Sequence, residues 1–149
     1  MNNRKVYISG EIVPEVDAKI SIFDSAVLLG DTVTESTRTF NFKPFKLDEH
    51  LERLYKSFKL TRIDPQMTIE EMKKVSLELL EINKDNYKAN EDCWLVHNIS
   101  RGHSITGGNP ALQVSKPTVM IYTQPMNLVS WAPFYLSLIH ISEPTRRTI

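Results

Sequence analysis

IFDSAVLLGDTVTESTRTFNFKPFKLDEHLERLYKS, Ile22–Ser57, is the stretch whose reading decides the fold. Its C-terminal part predicts an amphipathic helix, because Leu47, Leu51, Leu54, Tyr55 and Phe58 recur at steps of three and four and line one face. Asp48 is expected to cap that helix. Upstream, Thr32–Phe40 is rich in β-branched residues and predicts a strand. Alternation sets Thr34, Ser36 and Arg38 on one of its faces and Val33, Glu35 and Thr37 on the other. Polar groups on both faces fit either a strand lining a wet pocket or an edge strand with one solvated face. Asn41-Phe42-Lys43-Pro44 then reads as a hairpin connection into the helix.

Beside the apolar stripe of that helix stand Glu49, His50, Glu52, Arg53 and Lys56. The planar fork of Arg53 can hold two phosphate oxygens at once, which an ammonium cannot do in the same geometry. The alternative for Arg53 is a solvated ion pair with Glu49 or Glu52.

Outward from this stretch, Val6-Tyr7-Ile8, Ser9-Gly10-Glu11 and Ile12-Val13 read as a hairpin with glycine at the reversal, ended by Pro14. Lys19–Ile22 alternates like a half-buried strand, and Ala26–Leu29 is a small apolar run before the Gly30 turn. After Asp64-Pro65, Thr68-Ile69-Glu70-Glu71 has the form of a capping box. Ile69, Met72, Val75, Leu79 and Ile82 follow it as the stripe of a second amphipathic helix. Residues 84–92 read as a loop, Trp94–Ser100 as a strand ended by Arg101-Gly102, and Thr118–Thr123 as the last strand. Gly107, Gly108 and Pro110 make the segment between these two strands irregular.

The 149 residues suffice for one compact domain. Eighteen basic residues balance eighteen acidic ones, so no net field draws the chain toward nucleic acid or an anionic membrane. Cys93, the only cysteine, excludes an internal disulfide, and its neighbours Trp94-Leu95-Val96 read as a core strand rather than the setting of a nucleophile. His50, His97, His103 and His140 make no metal-ligand spacing, so no metal is expected. The N-terminus lacks the apolar run of a signal peptide and no segment has the length of a membrane span, which points to a cytoplasmic protein.

Four pieces of the sequence, taken in order, carry a resemblance. They are Tyr7-Ile8-Ser9-Gly10; Phe23-Asp24 with Gly30-Asp31 and Val33-Thr34-Glu35; Leu47–Leu54 with Tyr55 and Ser57; and Ser100-Arg101-Gly102. Together they resemble the fold-type IV pyridoxal-phosphate enzymes: branched-chain and D-amino-acid aminotransferases and aminodeoxychorismate lyase. The resemblance implies an α+β fold, a small N-terminal domain of antiparallel strands with two amphipathic helices packed on the sheet, spanning residues 1–135. It also implies a homodimer, pyridoxal 5'-phosphate in the complete enzyme, and an amino acid and a 2-oxo acid as substrates. Arg53 would bind the cofactor phosphate, and Leu29, Thr34 and Arg38 would face the substrate. Glu35, Arg101 and Gly102 match family motifs without an assigned role. Relatives commonly carry Phe or Tyr where Thr34 stands, which implies a roomier or more polar pocket here.

The family's Schiff-base lysine lies in a second domain, and Lys116, the last lysine, comes too early to be it. No catalytic residue is therefore assigned, and this chain alone is expected to be inactive. Leu136–Arg146, LSLIHISEPTR, resembles the conceptual translation of a transposase adapter used in sequencing libraries. That makes residues 136–149 an expected non-native tail, and Trp131, Phe134 and Tyr135 an expected apolar patch on an association-prone fragment. A lyase of the same family, or a non-catalytic α+β binding module sharing the fold, are the alternative readings.

Overall fold

A computed structural model describes residues 3–88, 91–103, 116–126 and 132–133. The expectations for Gly107, Gly108, Pro110, Trp131, Phe134, Tyr135 and residues 136–149 lie outside the described residues. Six strands form one sheet: β1 (Lys5–Ile8), β2 (Glu11–Pro14), β3 (Thr32–Phe40), β4 (Lys43–Pro44), β5 (Cys93–Ser100) and β6 (Thr118–Pro125). Their spatial order is β2-β1-β6-β5-β3-β4, and every neighbouring pair is antiparallel. Two long helices, α2 (Leu47–Thr61) and α3 (Ile69–Asn83), and one short helix, α1 (Ser25–Leu29), complete the α+β fold. No described helix is long and apolar enough to cross a membrane.

The core lies between one face of the sheet and the two long helices. Leu51 and Leu54 of α2 and Met72 and Leu79 of α3 are buried against Leu95, Ile99 and Ile121 of the central strands. Each such side chain contributes about 1.5–3 kcal/mol by leaving water. The capping box of α3 is present, with Thr68 Oγ1 accepting from Glu71 N at 3.2 Å and Thr68 N donating to Glu71 Oε2 at 2.8 Å. At the other end of α3 the fully buried Asn83 acts as a strand partner for β1. Its Oδ1 accepts from Lys5 N and its Nδ2 donates to Lys5 O.

Several local expectations are corrected. Asp48 does not cap α2; Lys46 occupies the N-cap in the left-handed region without a side-chain bond, and Asp48 pairs with Lys73 across the helices at 2.6 Å. Lys19–Ile22 is not a strand and Ile22 is 70% exposed. Ala26–Leu29 lies in α1, which Asp24 caps by accepting from Ala26 N at 2.9 Å. In α3, Ile82 is exposed, whereas the polar Ser76 and Asn83 are fully buried. Cys93 is the buried core residue that its neighbours imply, and desolvation pushes its thiol up to about 11.

The Asn41-Phe42 turn, both residues at positive φ, returns β3 into a β4 only two residues long. β4 pairs with Thr39 and Phe40 alone, so among the described residues the outer edge of β3 from Thr32 to Thr37 has no strand neighbour. That uncovered edge positions the site.

Candidate functional site

The alternation of β3 appears as expected, with Val33, Glu35, Thr37 and Thr39 buried under the helices and Thr34, Ser36 and Phe40 exposed on the other face. A glutamate on a helix-covered face demands partners, because an unpaired carboxylate there costs several kcal/mol of desolvation. The partners come from α2. The apolar stripe Leu47, Leu51, Leu54 and Phe58 fixes the helix on the sheet, and this turns His50 and Arg53, one turn apart, toward the edge of β3.

Arg53 Nε donates to Glu35 Oε2 at 2.7 Å and Arg53 Nη2 to Glu35 Oε1 at 2.6 Å. His50 Nδ1 lies 2.9 Å from Oε1, and Ser36 N donates to the same oxygen at 3.1 Å. A carboxylate can only accept, so His50 carries its proton on Nδ1 in this contact. Glu35 thus accepts four hydrogen bonds. Burial pushes its pKa up, but the bonds from Arg53 and His50 outweigh that and hold it below the usual carboxylate range. Glu35 in turn raises the pKa of Arg53 through its hydrogen bond and charge. Arg53 is therefore bound to Glu35 of the strand, not to Glu49 or Glu52 of its own helix.

Behind Glu35, paired with it across β3 and β5, is His97, fully buried. Ser76 Oγ donates to Met72 O at 2.7 Å, so it accepts from His97 Nε2 at 2.7 Å, and Nδ1 is the bare nitrogen. Nδ1 has no hydrogen-bond partner among the described residues. Desolvation lowers His97 to about 4, against the opposing pull of the Glu35 charge.

The remaining residues singled out from the sequence do not converge with Arg53. Thr34 and Arg38 lie on the opposite face of β3, four residues or about 13 Å apart along the strand. Arg38 stacks its guanidinium over Phe40 at 4.2 Å, and its buried Nε has no hydrogen-bond partner among the described residues. Leu29 stands on α1 and is 70% exposed. Arg101 ties the end of β5 to its surroundings: Nε meets Asp31 Oδ2 at 2.6 Å, and Nη1 and Nη2 donate to Arg62 O and Thr61 O. It thereby satisfies carbonyls at the C-terminus of α2, where Arg62 sits in the left-handed conformation. At Gly102, with φ +97°, a Cβ would stand 1.9 Å from Lys116 O, so only glycine fits.

His50 and Ser36 were not singled out from the sequence. The available signal for His50 was its place one helical turn before Arg53.

Residues 32–148 match the family model described as Amino-transferase class IV. A Methanocaldococcus jannaschii protein described provisionally as a branched-chain-amino-acid aminotransferase is 39% identical over 122 residues, covering 82% of this chain and 40% of that protein. The D-alanine aminotransferase of Staphylococcus epidermidis is 32% identical over 120 residues, covering 80% of this chain and 41% of the enzyme. Among solved structures, the T.th. branched-chain amino acid aminotransferase with pyridoxamine 5'-phosphate superposes with a TM-score of 0.71 at 25% identity, covering 85% of this chain and 42% of that one. The chain spans about two fifths of the length of these relatives. With a family match over most of its residues and the same small-domain fold, the chain belongs to the class IV aminotransferases.

Proposed function

We propose that this chain is the N-terminal part of a pyridoxal-phosphate-dependent enzyme that moves an amino group between a branched-chain or D-amino acid and a 2-oxo acid. The observation that carries the reading is Arg53: its Nε–Nη2 side is anchored on Glu35 while the side chain as a whole remains 66% exposed at the open edge of β3. An exposed, oriented guanidinium end suits the phosphate of the cofactor. Pyridoxal phosphate, when bound, supplies an electron sink for the α-carbon of the amino acid.

Arg38 supports the substrate side of the proposal. A half-buried guanidinium with no ion pair among the described residues can offer its Nη groups to a carboxylate, and stacking on Phe40 orients it. Thr34 and Leu29 would border the substrate and set how much room it has. The lysine that the chemistry needs is not assigned within this chain, so we expect it to be inactive alone, with the complete enzyme acting in the cytoplasm as a homodimer.

The test is a fusion of residues 1–126 to the C-terminal region of the Methanocaldococcus jannaschii relative, assayed with branched-chain and D-amino acids as donors. Arg53→Gln should weaken pyridoxal phosphate binding at least about tenfold, the loss of one charge-assisted bidentate contact. Wild-type affinity in that variant would remove Arg53 from the cofactor site.

A further inference from the structure

Glu35 and Arg53 form an unequal pair: the carboxylate is 6% exposed and the guanidinium 66%. A pair serving stability alone has no need of that asymmetry, since presenting one partner to water weakens the attraction. We propose that Glu35 and His50 are positioning residues for Arg53, holding the guanidinium by its Nε–Nη2 side so that its Nη1–Nη2 end is aimed outward at an anion. This rests on the reading of Arg53 as the phosphate ligand and adds how the ligand is held.

Glu35 Oε2 takes Arg53 Nε; Oε1 takes Arg53 Nη2, His50 Nδ1 and the Ser36 backbone N–H. The Ser36 contact fixes the carboxylate to its own strand, and His50 fixes it to the helix that carries Arg53. With three bonds on Oε1 and one on Oε2, Glu35 cannot turn away without leaving its buried carboxylate unpaired. Held at Nε and Nη2, Arg53 has less rotamer freedom to lose when an anion arrives.

The clamp and simple charge attraction make opposite predictions. By Coulomb's law, removing the negative charge of Glu35 should tighten an anion on Arg53. If Glu35 is there to position the guanidinium, its removal should loosen the anion instead.

The experiment uses the full 149-residue chain, with inorganic phosphate and pyridoxal phosphate as probes and the arginine Nε–H signals read by NMR. In the absence of ligand, one Nε–H signal, missing in Arg53→Lys, should exchange slowly with water. Glu35→Gln should abolish its protection. His50→Leu should speed exchange roughly tenfold, while His50→Asn, which keeps a donor at the Nδ1 position, should restore it. His50 keeps 23% of its side chain exposed and carries no buried charge, so this pair of variants stands even if Glu35→Gln does not fold. Both probes should bind Glu35→Gln several-fold more weakly than wild type.

A protected signal that survives Glu35→Gln, equal exchange in the His50→Leu and wild-type chains, or tighter phosphate in Glu35→Gln would each overturn the clamp. A signal with the expected dependence on Glu35 and His50, but unmoved by either probe in the wild-type chain, would uphold the clamp and overturn the cofactor reading.

Discussion

Along β3, Val33, Glu35, Thr37 and Thr39 face the helices, and Thr34, Ser36, Arg38 and Phe40 face away; both sets are mostly polar, yet they are held differently. On the covered side the protein supplies partners for Glu35 and Thr39, while the buried Thr37 Oγ1 has none among the described residues. Glu35 accepts four hydrogen bonds, and Thr39 Oγ1 donates to Cys93 O and accepts from Cys93 N. On the open side Thr34 Oγ1 meets only Thr32 Oγ1 among the described residues, at 3.5 Å, and Arg38 has its ring contact with Phe40. Glu35 and Thr39 under the helices are therefore held in fixed geometry, whereas Thr34 and Arg38 on the open face have fewer partners among the described residues. The two sides should separate stability from binding.

Core packing gives the largest expected contrast. Leu51→Ala, beneath the covered face, should destabilise by about 2–5 kcal/mol. Thr34→Ala, on the open face, should stay within about 0.5 kcal/mol. Urea unfolding of both variants checks this, and equal losses would dissolve the distinction.

Acid should act through the covered side next. His97 titrates near 4 when folded and about 6.5 when unfolded, so the unfolded chain binds the extra proton between those values. Stability is complete above about pH 6.5 and falls by up to about 1.4 kcal/mol per pH unit toward pH 4, roughly 3 kcal/mol in all. Glu35, whose folded pKa is lowered, adds its own loss only as pH falls below about 4.5. Urea midpoints from pH 7 to 4.5 should therefore flatten in His97→Gln, whatever its absolute stability. An unchanged slope would place the titration elsewhere.

The smallest effect on folding is expected at Arg38. Arg38→Gln should change stability by less than about 0.5 kcal/mol, because it breaks no ion pair among the described residues. In the lysine-bearing fusion the same change should raise the amino acid KM roughly tenfold with a smaller effect on pyridoxal phosphate affinity. A loss confined to pyridoxal phosphate would move Arg38 out of the substrate site.

Much of this architecture is written in local periodicity. The stripes of α2 and α3, the alternation of β3 and the capping box at Thr68 each depend on residues within a turn or two, which is why they read directly from the chain. Lys19–Ile22 misled because alternation over four residues says nothing about a neighbouring strand, and no described strand pairs with it. α1 was hidden because five residues are too few for a helical period, although Asp24 before Ser25 and Gly30 after Leu29 are its cap signals. At the site, Arg53 was legible as an anion ligand candidate, but its partner lies eighteen residues away across a strand-to-helix turn. A reading of nearby charges on one helix offers Glu49 and Glu52, and only the packing of α2 on β3 selects Glu35.

The shortness of β4 has one more consequence. A strand margin without a neighbour offers its amide groups to any extended chain that drifts alongside, the usual route to unwanted sheet growth between molecules. Here the carboxylate of residue 35 bends back onto the amide of residue 36, and two side chains of α2, His50 and Arg53, reach that same carboxylate. The group proposed to steady a ligand would also deny the margin to strangers, so a variant lacking it should be watched for clumping as well as for weakened binding.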